Sequence, residues 1–247
     1  MKVIAILNHK GGTGKTTSSL NIGAGLAKLN KKVLLIDIDP QTNLSEGLGV
    51  RNAEKSIYQN IKGDPRLPIL NITDNLDLIP ASIDLLGAEL EMVSIFGRET
   101  IIKKLLNPIK DNYDYIILDC PPAIGMLTVN AIVASDTLLI PLEAEFYSYT
   151  GIDKLVDIIQ KVKDNYNENL TIGGVFITKY NAQRSLTGKM KASIGKYFGD
   201  KLFDTAIRVN ISLSEAQLSG KSVFDYAPTS NGAKDYSDLV NEITAKI

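Results

Sequence analysis

The sequence predicts an α/β protein: a mostly parallel, twisted sheet with helices on both faces. Three observations predict it. Short apolar runs of strand length alternate with segments of helical period, the order expected of crossover units that cover a sheet on both sides. The first run, residues 3–7, passes through a glycine-rich turn into a helical segment, residues 16–29. Later runs close on acids, at the strand ends where open α/β sheets bind ligands.

Residues 33–39, Val-Leu-Leu-Ile-Asp-Ile-Asp, read as a buried strand ending in Asp37 and Asp39. Further strands are expected at 75–79, 115–119, 137–141 and 171–178. Between the last two strands and beyond, Leu155, Ile158, Ile159 and Val162 recur at helical spacing. Residues 186–198 form another helix with lysines turned outward, and section 51–112 mixes charge and apolar residues without a clear period. In residues 233–247, Tyr236, Leu239, Val240, Ile243 and Ile247 share one helical face. That face fits either docking on the sheet or a membrane surface. The polar face carries Asp235, Asp238 and Glu242 against only Lys234 and Lys246, whereas a membrane-surface helix wants a basic polar face, so docking is expected.

Bulk composition sets limits. The 247 residues suffice for one domain spanning 1–247 with a sizeable core. Hydrophobic content of 44% and charged content of 22% are those of an ordinary globular chain. A net charge of −1 gives no global attraction to nucleic acid, so any basic surface is local. With the single cysteine Cys120 no intrachain disulfide can form, which suits a reducing compartment. No apolar run approaches the roughly 20 residues of a membrane span, and the first residues are too strand-like for a signal peptide. A cytoplasmic location with no membrane partner is expected.

The chemistry begins at residues 8–17, Asn-His-Lys-Gly-Gly-Thr-Gly-Lys-Thr-Thr. A strand that turns through Gly11, Gly12 and Gly14 into a helix N-terminus offers backbone N–H groups and the positive end of the helix dipole to a phosphate chain. Lys15 adds a point charge at the β/γ-phosphates, and the Thr16 hydroxyl suits Mg²⁺. Thr13 and Thr17 complete the turn. The usual pattern places a glycine five positions before Gly14; His9 stands there, followed by a second lysine, Lys10. Asp119 ends the run Tyr-Ile-Ile-Leu-Asp before Cys120-Pro121-Pro122, the form of a strand-end acid that holds Mg²⁺ through water. Asp37 and Asp39 would point to the same side if their strand persisted that far. Two carboxylates beside a polyphosphate require a cation or water between, and Asp37 is placed at the metal site.

Lys10-Gly11-Gly12-Thr13-Gly14-Lys15-Thr16-Thr17 resembles the deviant phosphate loop of the ParA/MinD superfamily. Asp37-Ile-Asp-Pro-Gln, Gly47-Leu-Gly, Leu78-Ile-Pro-Ala, Tyr113-Asp-Tyr-Ile-Ile-Leu-Asp-Cys-Pro-Pro and Leu213-Ser-Glu-Ala extend that likeness, in order, over essentially the whole chain. Within the superfamily they resemble the ParA/Soj partition proteins. The resemblance implies a deviant P-loop NTPase fold, ATP and Mg²⁺ as cofactors, and a slow, partner-stimulated ATPase. It implies that Lys10 reaches the partner's nucleotide across an ATP-bound homodimer, and that Asp39 positions the attacking water. Catalytic roles thus fall to Lys10, Lys15 and Asp39, and metal roles to Thr16, Asp37 and Asp119. The family's Pro-Arg-Asn, which lines the base, corresponds to Arg208-Val209-Asn210 here, so Asn210 is the base-reading candidate, with Asn181 a second amide after the strand ending near 178. Either is equally a turn or cap residue.

The resemblance further implies non-specific DNA as a partner, a ParB-like centromere-binding protein as another, and association with the nucleoid. Residues 179–221 carry eight basic against three acidic side chains, a local excess of five positive charges. Arg184, Lys189, Lys191, Lys196, Arg208 and Lys221 are the candidate DNA contacts, since phosphate neutralisation needs no sequence reading. The same tract also reads as an ordinary solvated face, and Ser212 replaces an arginine common in the family. The function expected is plasmid or chromosome segregation. The alternative is a MinD-like or other cargo-positioning ATPase acting at a membrane or on a protein cluster.

Overall fold

The computed structural model describes residues 1–144, 152–181, 183 and 185–247, the last segment's residues 185–187 by backbone alone. Eight strands form one sheet: β1 (Lys2–Ile6), β2 (Val33–Asp37), β3 (Leu70–Thr73), β4 (Leu76–Ile79), β5 (Tyr115–Asp119), β6 (Thr137–Glu143), β7 (Thr171–Tyr180) and β8 (Leu202–Arg208). Their spatial order is β3-β4-β2-β5-β1-β6-β7-β8. Every pairing is parallel except that of β3 with β4. The mostly parallel sheet read from the sequence is therefore present. β3 and β8 escape that reading because they lie at the sheet edges, where the burial pattern is broken by exposed residues.

Alternation along the strands divides the core into two layers. Val3, Ala5, Leu34, Ile36, Ile116 and Leu118 face one side, whereas Ile4, Ile6, Leu35 and Ile117 face the other. The connecting helices are α1 (Lys15–Lys28), α2 (Asn43–Gly47), α3 (Ile57–Ile61), α4 (Leu85–Met92), α5 (Ile101–Leu106), α6 (Met126–Ala134), α7 (Ile152–Asn165), α8 (Ser185–Phe198), α9 (Ile211–Leu218), α10 (Val223–Tyr226) and α11 (Asn231–Lys246). Helices α3 to α8 pack on the first face, and α1, α2 and α9 to α11 on the second. Because both faces are covered, the central strands have no polar side to alternate with; β2 is buried at all five positions.

The terminal helix is docked. Tyr236, Leu239, Val240 and Ile243 are buried in the second layer, and the Tyr236 hydroxyl bonds Ser18 Oγ of α1 at 3.0 Å. Its acids are used as well: Glu242 accepts from the Asp204 and Thr205 N–H groups at 2.9 and 3.0 Å, and Asp235 grips Arg208 of β8. An apolar face spent in the core is not available to a lipid surface. Among the described residues no helix is long and apolar enough to cross a membrane.

Gly174 in β7 lets β8 close against it. A Cβ at that position would clash with the outer edge of the Phe203 ring, which is itself fully buried. Gly174→Ala is therefore expected to lose about 1–3 kcal/mol through overpacking, and each kcal/mol lowers the melting temperature by roughly 2–4 °C for a chain of this size. Thermal melting monitored by circular dichroism checks this; an unchanged melting temperature would mean β8 yields freely.

Candidate active site

The loop between β1 and α1 is built from its first residue. Asn8 is buried and donates to the Pro141 carbonyl at 2.7 Å, while its Oδ1 accepts from the Lys10 N–H at 3.0 Å. Gly12 and Gly14 have φ of 74° and 83°, left-handed values that a side chain would disfavour. Gly11 has open space where a Cβ would be. Thr13 is buried, and its carbonyl is fixed by the Thr178 hydroxyl at 2.8 Å. No side chain caps α1 at Gly14, so the first-turn N–H groups of a 14-residue helix remain open toward the loop. Thr17 Oγ1 donates to Gln217 of α9 at 3.1 Å. The loop borders an open cleft of about 600 Å³, lined among others by Gly11, Lys15, Thr16, Asp39, Pro122 and Gln217.

Lys15 is nearly buried, its Nζ 3.2 Å from the Lys10 carbonyl. Burial lowers its pKa, and the neighbouring charges of Asp119, Cys120 and Asp39 push it back up. Asp119 lies at the end of β5, fully buried. One oxygen accepts from Ser19 Oγ of α1 at 2.7 Å; the other, Oδ2, has no hydrogen-bond partner among the described residues. Burial first, then the charge of Asp37, holds this carboxyl above its ordinary range, against the hydroxyls of Ser19 and Thr16. A buried carboxylate oxygen left without a donor, beside a hydroxyl and an uncapped helix start, suits a hard divalent cation that shares its shell with phosphate and water. Among the described residues no group of three or more His, Cys, Asp or Glu could cage a metal alone.

The paired acids behave differently from one another. β2 ends at Asp37, so the alternation that would aim Asp37 and Asp39 together stops between them. Asp37 Oδ2 accepts from both the N–H and the hydroxyl of Ser45 at 2.9 and 2.7 Å, and Oδ1 accepts from the Asp39 N–H at 3.1 Å. Both of its oxygens thus help to shape the turn into α2, so a part for Asp37 at the metal site would run through water, as a support and not as a direct ligand. Asp37 acts on the site as a charge paired in register with Asp119. Asp39 lies beyond the strand, 5% exposed, and lines the cavity while its Oδ1 accepts from Gln41 N–H at 2.9 Å.

The base-reading candidates lie apart. Asn210 caps α9, accepting from Ser212 N–H at 2.9 Å, and Asn181 makes a turn with Gln183 N–H at 3.0 Å. Neither lines the cavity; Gln217, Arg51 and Lys179 do. Those three are missing from the sequence reading because each comes from a segment far from the loop, and only Lys179 gave a signal, as part of the basic tract. That tract is dispersed in space. Lys189 and Lys196 are exposed on α8, while Lys191 on the same helix donates to the Asp204 carbonyl at 2.8 Å. Arg208 spends its guanidinium on Asp235, with bonds of 2.6 to 3.1 Å, and Lys221 lines a separate cavity with Lys28 and Asp225. Arg184 lies outside the described residues.

Fold and site together define an α/β nucleoside-triphosphate-binding protein with a deviant phosphate loop. Comparison with known proteins narrows the class. A family model described as an AAA domain matches residues 1–172. The chain is 45% identical to the sporulation initiation inhibitor protein Soj of Bacillus subtilis, over 99% of this chain and 98% of that one. Among solved structures, cobyrinic acid a,c-diamide synthase from Mycobacterium smegmatis with bound ATP analog and magnesium superposes with a TM-score of 0.87 at 27% identity, covering 99% of this chain and 94% of the other. A putative plasmid partition protein from Borrelia burgdorferi bound to AMPPNP gives 0.83 at 26%, covering 99% and 98%. The chain belongs to the ParA/Soj family of partition ATPases.

Proposed function

We propose that this protein hydrolyses ATP with Mg²⁺ to switch between a monomer and an ATP-bound dimer that holds DNA without sequence preference. A ParB-like centromere-binding partner would stimulate release, and the cycle would segregate a plasmid or chromosome on the nucleoid. The observation that carries the nucleotide reading is the buried Asp119 Oδ2, without a hydrogen-bond partner among the described residues, together with the uncapped start of α1. Nucleotide and magnesium in the structural relatives support it. Bound ATP would supply the phosphoryl group, and Mg²⁺ would supply charge neutralisation on its phosphate oxygens. The chain's own residues do the positioning, which is most of what phosphoryl transfer requires. Lys15 and the α1 N–H groups hold the phosphates; Thr16 and Asp119 hold the cation. Asp39 orients the water, and Lys10 completes the site of a partner protomer.

The exposed Lys189 and Lys196 on α8 are the proposed DNA contacts. Doubling them in a dimer steepens the salt dependence by about 0.9 log units per added phosphate contact. DNA binding measured with ATP, ADP and no nucleotide across a salt series is the test. Tighter binding and a steeper slope with ATP alone are expected; equal affinity in all three states would overturn the switch. In parallel, Lys10→Ala is expected to stay monomeric with ATP by light scattering.

A further inference from the structure

Glu143, the last residue of β6, joins two lysines beside the phosphate loop. Its side chain is 8% exposed; Oε2 lies 3.4 Å from Lys10 Nζ, and Oε1 lies 2.6 Å from Lys179 Nζ. Lys179 follows Thr178 on β7 with a φ of 49°, a left-handed backbone that a lysine adopts only at a cost. That backbone turns its side chain over the loop, where the Nζ stands 3.8 Å from the place a Cβ would occupy at Gly12. Lys179 also lines the nucleotide cavity.

We propose that Glu143 and Lys179 are positioning residues for Lys10. Glu143 parks the Lys10 ammonium on its own protomer between cycles, and Lys179 remains on Glu143 when Lys10 leaves for the partner's phosphates. The proposal rests on the reading of Lys10 as a cross-dimer residue. Its physical basis is the penalty for stripping a nearly buried carboxylate of its counter-charge. A lone lysine on Glu143 would be hard to release. With Lys179 already at 2.6 Å, the carboxylate stays paired when the longer, 3.4 Å contact breaks. Two ammonium groups on one carboxylate also leave an unbalanced positive charge, which favours giving one of them to an anionic triphosphate.

The test uses the full chain and reads Lys10 directly. Lys10 is acylated with an N-hydroxysuccinimide ester in the nucleotide-free protein, and the rate is followed by peptide mass spectrometry. Glu143→Gln is expected to speed Lys10 acylation by roughly threefold, the size of a partly exposed ion pair. Lys179→Met, which leaves Glu143 fewer cations to share, is expected to slow it by a similar factor. The protein concentration for half-dimerisation with a slowly hydrolysed ATP analogue should fall in the first variant and rise in the second. A residue that only supports the fold would move both variants the same way; that result, or unchanged acylation in both, overturns the proposal. Failure of the underlying reading looks different: Lys10→Ala would dimerise like the parent while the acylation rates still shifted in opposite directions.

Discussion

Asp39→Ala is expected to bind ATP and Mg²⁺ about as well as the parent while hydrolysing ATP at least about 100-fold more slowly, the lower end of what a positioned base contributes. The expectation follows from where the side chain sits. Asp39 is nearly buried on the cavity wall, and its Oδ1 is tethered to Gln41 N–H at 2.9 Å, which fixes the carboxylate's direction. It is not the acid with the unpartnered oxygen, so its loss should spare cation and phosphate binding. ATP bound without being cleaved would then hold the dimer on DNA. Phosphate release in a single turnover, set beside binding of a fluorescent nucleotide, separates the two effects. Hydrolysis at the parental rate would remove Asp39 from the mechanism.

The second large effect belongs to Asp119→Asn. Its parent carboxyl is raised chiefly by burial and then by the charge of Asp37, from a starting value of 3.8. A carboxyl raised on folding contributes its stability in full below the unfolded value, and that contribution drains away as pH rises through the folded one. The nucleotide-free protein should therefore lose stability from about pH 4 upward toward and beyond neutrality, as the pair Asp37 and Asp119 is forced to ionise together. Asparagine cannot ionise. The variant should show a flatter pH profile and melt above the parent at about pH 8 without nucleotide, yet gain little when MgATP is added. Removing Mg²⁺ with a chelator should bring the parent's nucleotide affinity down toward the variant's. Melting curves across pH, with and without MgATP, decide it. Parallel pH profiles for parent and variant would refute the placement of this charge.

Both expectations concern acids at or just beyond strand ends, and they show how unevenly the site was legible. Asp119 could be found by reading along the chain, because an apolar run that stops at an acid is a local pattern. Asp37 could not be assigned the same way. Its sequence setting matches that of a metal residue, while in space one oxygen accepts from Ser45, eight positions on, and the other from the Asp39 N–H, once α2 folds back over the strand end. Arg208 is a similar case. Counted along the chain it adds to a basic tract, whereas in space Asp235, 27 residues later, absorbs it.

What the sequence alone determined is whatever depends on neighbours along the chain. The phosphate loop is one, since glycines at 12 and 14 license a left-handed backbone wherever they occur. Strand alternation and the apolar stripe of α11 are others. The tertiary structure alone decided which charges face which. Glu143 with Lys10 and Lys179, Thr17 with Gln217, and Asp37 with Ser45 come together only through the parallel register of the sheet and the helices laid across its ends. Coulomb energy and hydrogen bonding depend on distance and burial, and neither is written in the spacing of residues along a chain.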